Sequence, residues 1–167
     1  MIVTVTLHKS EIDYDVGMIT HVVANRALAS GATFEQAYNY SNTDDFNGEA
    51  NLIMRFEESA VSELVAALAR YLPDTITSSD NNLSVAEVAS FDFPFVLPDT
   101  FNLSFVRPLR SAMHDYVVNR TLFEWFKNSK PDEAVNYRDL YEDALGKTVV
   151  YLNKRTKPVR IKPYPRI

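Results

Sequence analysis

From Met1 to Leu7 the chain alternates imperfectly between apolar and polar positions and is rich in Val, Ile and Thr, a pattern that predicts a short strand. Ser10, followed by Glu11 and Asp13, reads as a helix entry with acids in the first turn. Val16, Ile19, Val22 and Val23 then recur near helical spacing toward Ala27, and Gly31 is the expected stop. Thr33–Tyr40 offers one further helical turn before the Asn/Asp-rich loop Asn42–Gly48.

The cleanest periodicity lies between Glu49 and Leu72, where Leu52, Phe56, Ala60, Leu64, Ala67, Leu68 and Tyr71 share one helical face and Pro73 ends the run. Thr75–Asn82 is polar and turn-like. From Val85 to Leu97 the apolar period becomes two, through Phe91, Phe93 and Phe95, which predicts a strand edged at Pro94 and able to pair with the N-terminal one. A third long helix is expected from Ser104, as N-cap, to about Asn128, with Pro108 tolerated in its first turn. A fourth opens with Pro131-Asp132-Glu133 and carries Val135, Leu140, Tyr141, Leu145, Val149 and Leu152. The spacing packs the second and third long helices together and buries Phe56, Leu64, Leu68, Met113, Val117, Phe123 and Trp125.

Pro158, Pro163 and Pro165 exclude a helix from the end of the chain and favour an extended course. The expected fold is therefore mainly α: a four-helix bundle-like domain with a small two-stranded β element and an extended C-terminal tail. The division is 1–153 for the helical domain with its N-terminal strand and 154–167 for the basic tail. At 167 residues the chain is long enough for one self-sufficient core.

Charge sharpens this division. The last 14 residues contain Lys154, Arg155, Lys157, Arg160, Lys162 and Arg166 and no acid, so the tail is +6; the remainder holds 11 basic against 22 acidic residues and is −11. Those six cations are the candidate interaction residues, facing either an acidic protein surface or nucleic acid. An acidic body repels DNA, which leaves weak binding through the tail alone and favours a strap between subunits.

Chemistry is hard to place. With no cysteine, thiolate metal sites, disulfides and cysteine nucleophiles are excluded. His8, His21 and His114 lack metal-ligand spacing, and His114 reads as a half-buried helix histidine. Asp13 and Asp15 fit a helix start as well as a magnesium site, and Asp44-Asp45 lacks the closing glutamate of a calcium loop. Arg55, Glu57 and Glu58 read as a solvated helix face, and no glycine-rich phosphate loop or nucleophile elbow is present. The expectation is no enzyme, no cofactor, no metal and no small-molecule substrate. Tyr14, Tyr38 and Tyr40 are candidate contact residues, since tyrosine suits both solvent and an interface. Neither a signal peptide nor a run of roughly 20 apolar residues is visible, so no membrane association is expected.

Three segments carry a likeness: Val3-Thr4-Val5-Thr6-Leu7-His8-Lys9-Ser10-Glu11 with Tyr14-Asp15-Val16; Met113-His114-Asp115-Tyr116-Val117-Val118-Asn119 running into Leu122-Phe123-Glu124-Trp125-Phe126; and Ala134-Val135-Asn136-Tyr137 with Asn153-Lys154-Arg155-Thr156-Lys157-Pro158-Val159-Arg160. Together they resemble a group of small virion proteins in phages and prophages of gut Bacteroidetes. The resemblance implies a neck or tail subunit (a head–tail connector, stopper or tail-completion protein) acting as a homo-oligomeric ring. Its partners are then copies of itself and neighbouring virion proteins, and its place is the virion, after synthesis in the host cytoplasm. Only Arg155 and Arg160 are carried over as functional positions. The alternative is a nucleic-acid-associated module that binds through the basic tail.

Overall fold

The computed structural model describes residues 1–41, 49–73 and 89–156. Elements follow in the order β1 (Ile2–His8), α1 (Lys9–Ala29), α2 (Phe34–Tyr40), α3 (Glu49–Ala67), β2 (Ser90–Val96), α4 (Val106–Ser129) and α5 (Pro131–Leu152). The protein is mainly helical, with one small two-stranded antiparallel sheet.

The strands pair from Ile2 opposite Val96 to His8 opposite Ser90. Leu97 N–H donates to Met1 O (2.9 Å) and Lys9 N–H donates to Ala89 O (3.1 Å). Those two bonds fix the parity of the ladder. Val3, Val5 and Leu7 exchange bonds with Phe95, Phe93 and Phe91, whereas the backbone groups of Ile2, Thr4 and Thr6 point away from β2. Pro94 sits opposite Thr4, so its missing N–H also falls on an outer edge and costs the ladder nothing. Val5, Leu7, Phe93 and Phe95 bury one face of the sheet against the helices.

The α4 helix is the hub. It buries Leu109, Ala112, Met113, Tyr116, Val117, Val118, Thr121, Leu122 and Phe126, a set too broad for a one-sided surface helix. Helix α5 returns antiparallel to it after the single linking residue Lys130, as so short a connection requires. Aromatic pairs join the two along their length: Phe126 stacks on Tyr137 (5.5 Å), Phe123 meets Tyr141 edge-on (5.7 Å), and Phe105, just before α4, meets Tyr151 (5.8 Å). Helices α3 and α1 pack on other sides of α4. Gly31 ends α1 with φ 95°, and Ala32 N–H reaches Ala27 O (3.0 Å) while Gly31 N–H reaches Leu28 O (3.1 Å), the double closure that a left-handed residue permits.

The packing of α3 with α4 agrees with the sequence pattern, and Leu64, Leu68, Met113 and Val117 are fully buried. Several facing residues differ. Phe56, Phe123 and Trp125 are half-buried, and Phe126 takes the deepest aromatic position instead. The α3 face is rotated: Ile53 and Glu57 are buried and Leu52 is exposed, which corrects the solvated-face reading of Glu57. On α5, Val135 and Leu140 are exposed while Ala134, Ala144 and Thr148 face α4, because small residues let two backbones approach and leave the aromatic rings to fill the flanks. Val22 of α1 is likewise exposed. Ser104 lies inside a 3₁₀ turn (Leu103–Phe105), and Asn102 caps that turn by accepting from Ser104 N–H (3.1 Å). The expected loop Asn42–Gly48 and polar segment Thr75–Asn82 lie outside the described residues, as does the start of the Val85–Leu97 run.

Candidate interaction site

Helix α5 ends at Leu152, and the chain then turns onto the segment that follows β2. Arg155 forms an antiparallel bridge with Phe101, which is buried. Asn102 N–H donates to Lys154 O (3.2 Å), and Thr156 N–H donates to Thr100 O (2.8 Å). Because the bridge is antiparallel, the chain at Thr156 heads from Asn102 back toward Thr100.

The two described tail cations are partly committed locally. The Arg155 guanidinium donates to Leu152 O (2.9 Å), satisfying a C-terminal carbonyl of α5, and the Lys154 ammonium lies 5.8 Å from the Phe105 ring centroid. Lys157, Arg160, Lys162 and Arg166 lie outside the described residues.

A second surface was invisible in the sequence. Ser10, Glu11, Tyr14 and Asp15 of α1 face Arg107, Arg110, Ser111 and His114 of α4 across an open cleft of about 570 Å³. Arg110 bonds Glu11 at 2.6 Å and His114 Nε2 lies 2.9 Å from Asp15 Oδ2, so the two helices are clasped by two polar bridges. The neighbour of His114 in space is thus Asp15, ninety-nine positions away in the chain, rather than the adjacent Asp115. Arg107 has no ion pair among the described residues. Its neighbour in the cleft, Tyr14, is 66% exposed. With two acids against two arginines, the cleft favours neither a strong anion nor a cation. Among the described residues no three His, Asp or Glu side chains converge on a point where a metal would bind.

A second groove is lined by Met18, Ile19, Val22, Val23 and Arg26 of α1, Asn119 of α4, and Tyr137 and Leu140 of α5. Of the remaining tyrosines singled out by sequence, Tyr38 is exposed, whereas Tyr40 is half-buried, with its carbonyl accepting from Trp125 Nε1 (3.2 Å) and Lys130 over its ring.

The strongest electrostatic perturbation lies elsewhere. Glu57 of α3 is fully buried, and burial, with the nearby Asp13 carboxylate, pushes its carboxyl up to about 8 against the opposing charge of Lys9. The Lys9 ammonium gives its hydrogen bonds to both Asp13 oxygens (2.7 and 2.8 Å) and stands 3.3 Å from Glu57 Oε2 as an ion pair only. The group is too enclosed to meet a partner and has the character of a structural cost rather than a reactive centre. No described helix is long and apolar enough to cross a membrane. No family model, curated protein or solved structure matches the chain.

Proposed function

We propose that the chain is a structural subunit of a phage particle, placed at the neck or tail as a connector, stopper or tail-completion part and working as a homo-oligomeric ring. The resemblance of its three segments to small virion proteins supplies the class. The observation that carries the mode of action is the charge split within one chain, −11 over the body and +6 over the last 14 residues. A ring repeats one heterologous contact, so each copy must offer two unlike, complementary surfaces. An acidic body and a basic tail meet that requirement.

In this reading α1, α3, α4 and α5 act as a four-helix bundle, and residues 154–167 form an extended tail that straps a neighbouring copy. The backbone bonds that hold Lys154–Thr156 on Thr100–Asn102 support it, because they give the tail a fixed point of departure and a set direction. The partners are copies of the chain and adjoining virion proteins, with no catalytic step and no cofactor. Sedimentation and electron microscopy of the purified full chain at low and physiological salt test the reading. Closed rings, or higher species weakened by salt, are expected. A strict monomer whose tail retains DNA in a steeply salt-dependent manner would replace the ring with the nucleic-acid module.

A further inference from the structure

The two edges of the sheet are not equivalent. Pro94 stands at the centre of the outer edge of β2, where it removes a donor and blocks the approach of another strand. The outer edge of β1 has no such guard. Ile2, Thr4 and Thr6 turn their N–H and C=O groups away from β2, and among the described residues no other backbone takes them up. An unprotected edge of this kind is a template for a further strand.

We infer that the β1 edge receives residues 159–164 of a second copy's tail as a third, antiparallel strand. The choice of a second copy rests on the ring reading above; the choice of segment rests on the parity of its prolines. Pro163 and Pro165 lack N–H groups, so within a strand they must turn those positions to the far edge. Arg160, Lys162 and Tyr164 then turn their backbone groups toward β1: three residues for Ile2, Thr4 and Thr6. Pro158 sets the limit on the other side, since its parity would face β1 without a donor.

The antiparallel register that uses all three is Tyr164 opposite Ile2, Lys162 opposite Thr4 and Arg160 opposite Thr6. Side chains follow from it. Opposed residues share a face, so Tyr164 covers Ile2, which is 71% exposed. Arg160 comes beside Thr6, whose hydroxyl already bonds the exposed carboxylate of Asp92 at 2.6 Å. Val159 and Ile161 fall on the inner face and lengthen the apolar row of Val3, Val5 and Leu7. Apolar residues thus go in and cations go out, beside an acid. The chain's own tail is the alternative occupant, and the double cysteine variant below separates it from the tail of a second copy.

The absence of cysteine makes the test clean. Full-length Thr4→Cys and full-length Lys162→Cys proteins are purified separately, mixed and oxidised. A disulfide-linked pair is expected, because directly opposed antiparallel residues lie within disulfide reach. Ile161→Cys, on the opposite face, should link to Thr4→Cys at least tenfold less. A companion variant, Thr4→Pro, removes one outward donor and leaves the β1–β2 ladder intact, as Pro94 does across the sheet. It should keep the circular dichroism and melting of the parent and lose the self-association. Equal linking by Lys162→Cys and Ile161→Cys, or self-association unchanged by Thr4→Pro, overturns the inference while leaving the ring reading standing. A Thr4→Cys, Lys162→Cys double variant that links only within one molecule at high dilution overturns the second copy as occupant. Selective linking between molecules without closed rings supports the edge contact and removes the ring.

Discussion

Glu57 of α3 lies fully buried 3.3 Å from the ammonium of Lys9, which directs its hydrogen bonds to Asp13 instead. Lys9 occupies the junction of β1 and α1, so this ion pair ties the sheet and the first helix to α3. It is an expensive tie. Desolvation disfavours the Lys9 charge, yet Asp13 and Glu57 outweigh it and hold the ammonium above its ordinary value. The carboxyl of Glu57 is also pushed up, but here burial wins: it opposes ionisation, with Asp13 beside it, more than one lysine shared with Asp13 can offset.

A pH dependence follows. The unfolded chain releases the Glu57 proton near 4.5, and the folded chain holds it to about 8. Between these values the native state binds more protons than the unfolded state, so this group's contribution to stability falls as the pH rises through the window. Glu57→Gln removes the titration. Relative to the parent, the variant should gain stability progressively from pH 5 to pH 8, by on the order of 1–3 kcal/mol at the upper end, the range for a buried polar group without a good partner. Urea unfolding of both proteins across that range measures it, and a constant difference at every pH refutes the assignment.

Arg120 gives the second prediction. Its guanidinium, on α4, bonds both oxygens of Glu63 on α3 at 2.8 Å, reaches Glu124 with its remaining arm and lies over Phe123 and Tyr141. The hydrogen bonds from Arg120 hold the Glu63 carboxyl below the usual carboxylate range. The stability from this pair is therefore present above the ordinary carboxylate pKa and is lost as the pH falls through the depressed one. Glu63 is 44% exposed on its side chain, so solvent screens the interaction. A double-mutant cycle with Glu63→Gln and Arg120→Met should return a coupling of about 1 kcal/mol at pH 7, shrinking toward zero in strong acid. Arg120→Lys should not recover it, since an ammonium cannot make the two-pronged contact.

The third prediction separates two neighbouring phenylalanines that look equivalent by spacing. Phe126 is fully buried and stacked on Tyr137, whereas Phe123 is half-buried at the edge of the α4–α5 contact. Phe126→Ala should cost about 3–5 kcal/mol and Phe123→Ala clearly less, because part of the area exposed by the second change already meets water. Denaturant unfolding of the two variants decides it; an equal or reversed order contradicts this packing.

The same two residues mark what the sequence could reveal. Period alone identified the long helices, the strand pair and Gly31 as a helix stop, because each depends on local spacing or on one backbone angle. It misjudged the facing of α3 and α5. On α3, spacing puts Leu52 in the core and Glu57 at the surface, but the face is chosen by what α4 and the sheet present, so Glu57 is buried beside Lys9 and Leu52 is exposed. On α5 the eye follows Val135 and Leu140, while the contact is made by Ala134 and Ala144, whose small size carries no hydropathic signal. The clasp of Asp15 on His114 and of Glu11 on Arg110 joins residues 99 positions apart, and no short-range pattern encodes that distance. The tail was legible as charge and proline content; its point of departure beside Thr100 was not.

That point of departure yields the last prediction. Thr156 N–H donates to Thr100 O at 2.8 Å, and the bond lies in exposed backbone beyond the end of α5. Thr156→Pro deletes this donor and nothing in the core. An exposed hydrogen bond contributes roughly 0.5–1.5 kcal/mol at most, so the melting curve should move by only a few degrees. The consequence for assembly should be larger. Freed from Thr100, the tail leaves the body in many directions, and the effective concentration of residues 159–164 at a neighbour's β1 edge drops for every copy around the ring. Self-association measured by sedimentation should weaken by an order of magnitude or more in Thr156→Pro, while the free-chain fold is retained by circular dichroism. Thr156→Ala keeps the N–H and should associate like the parent. If both variants associate equally well, the fixed departure of the tail has no part in assembly.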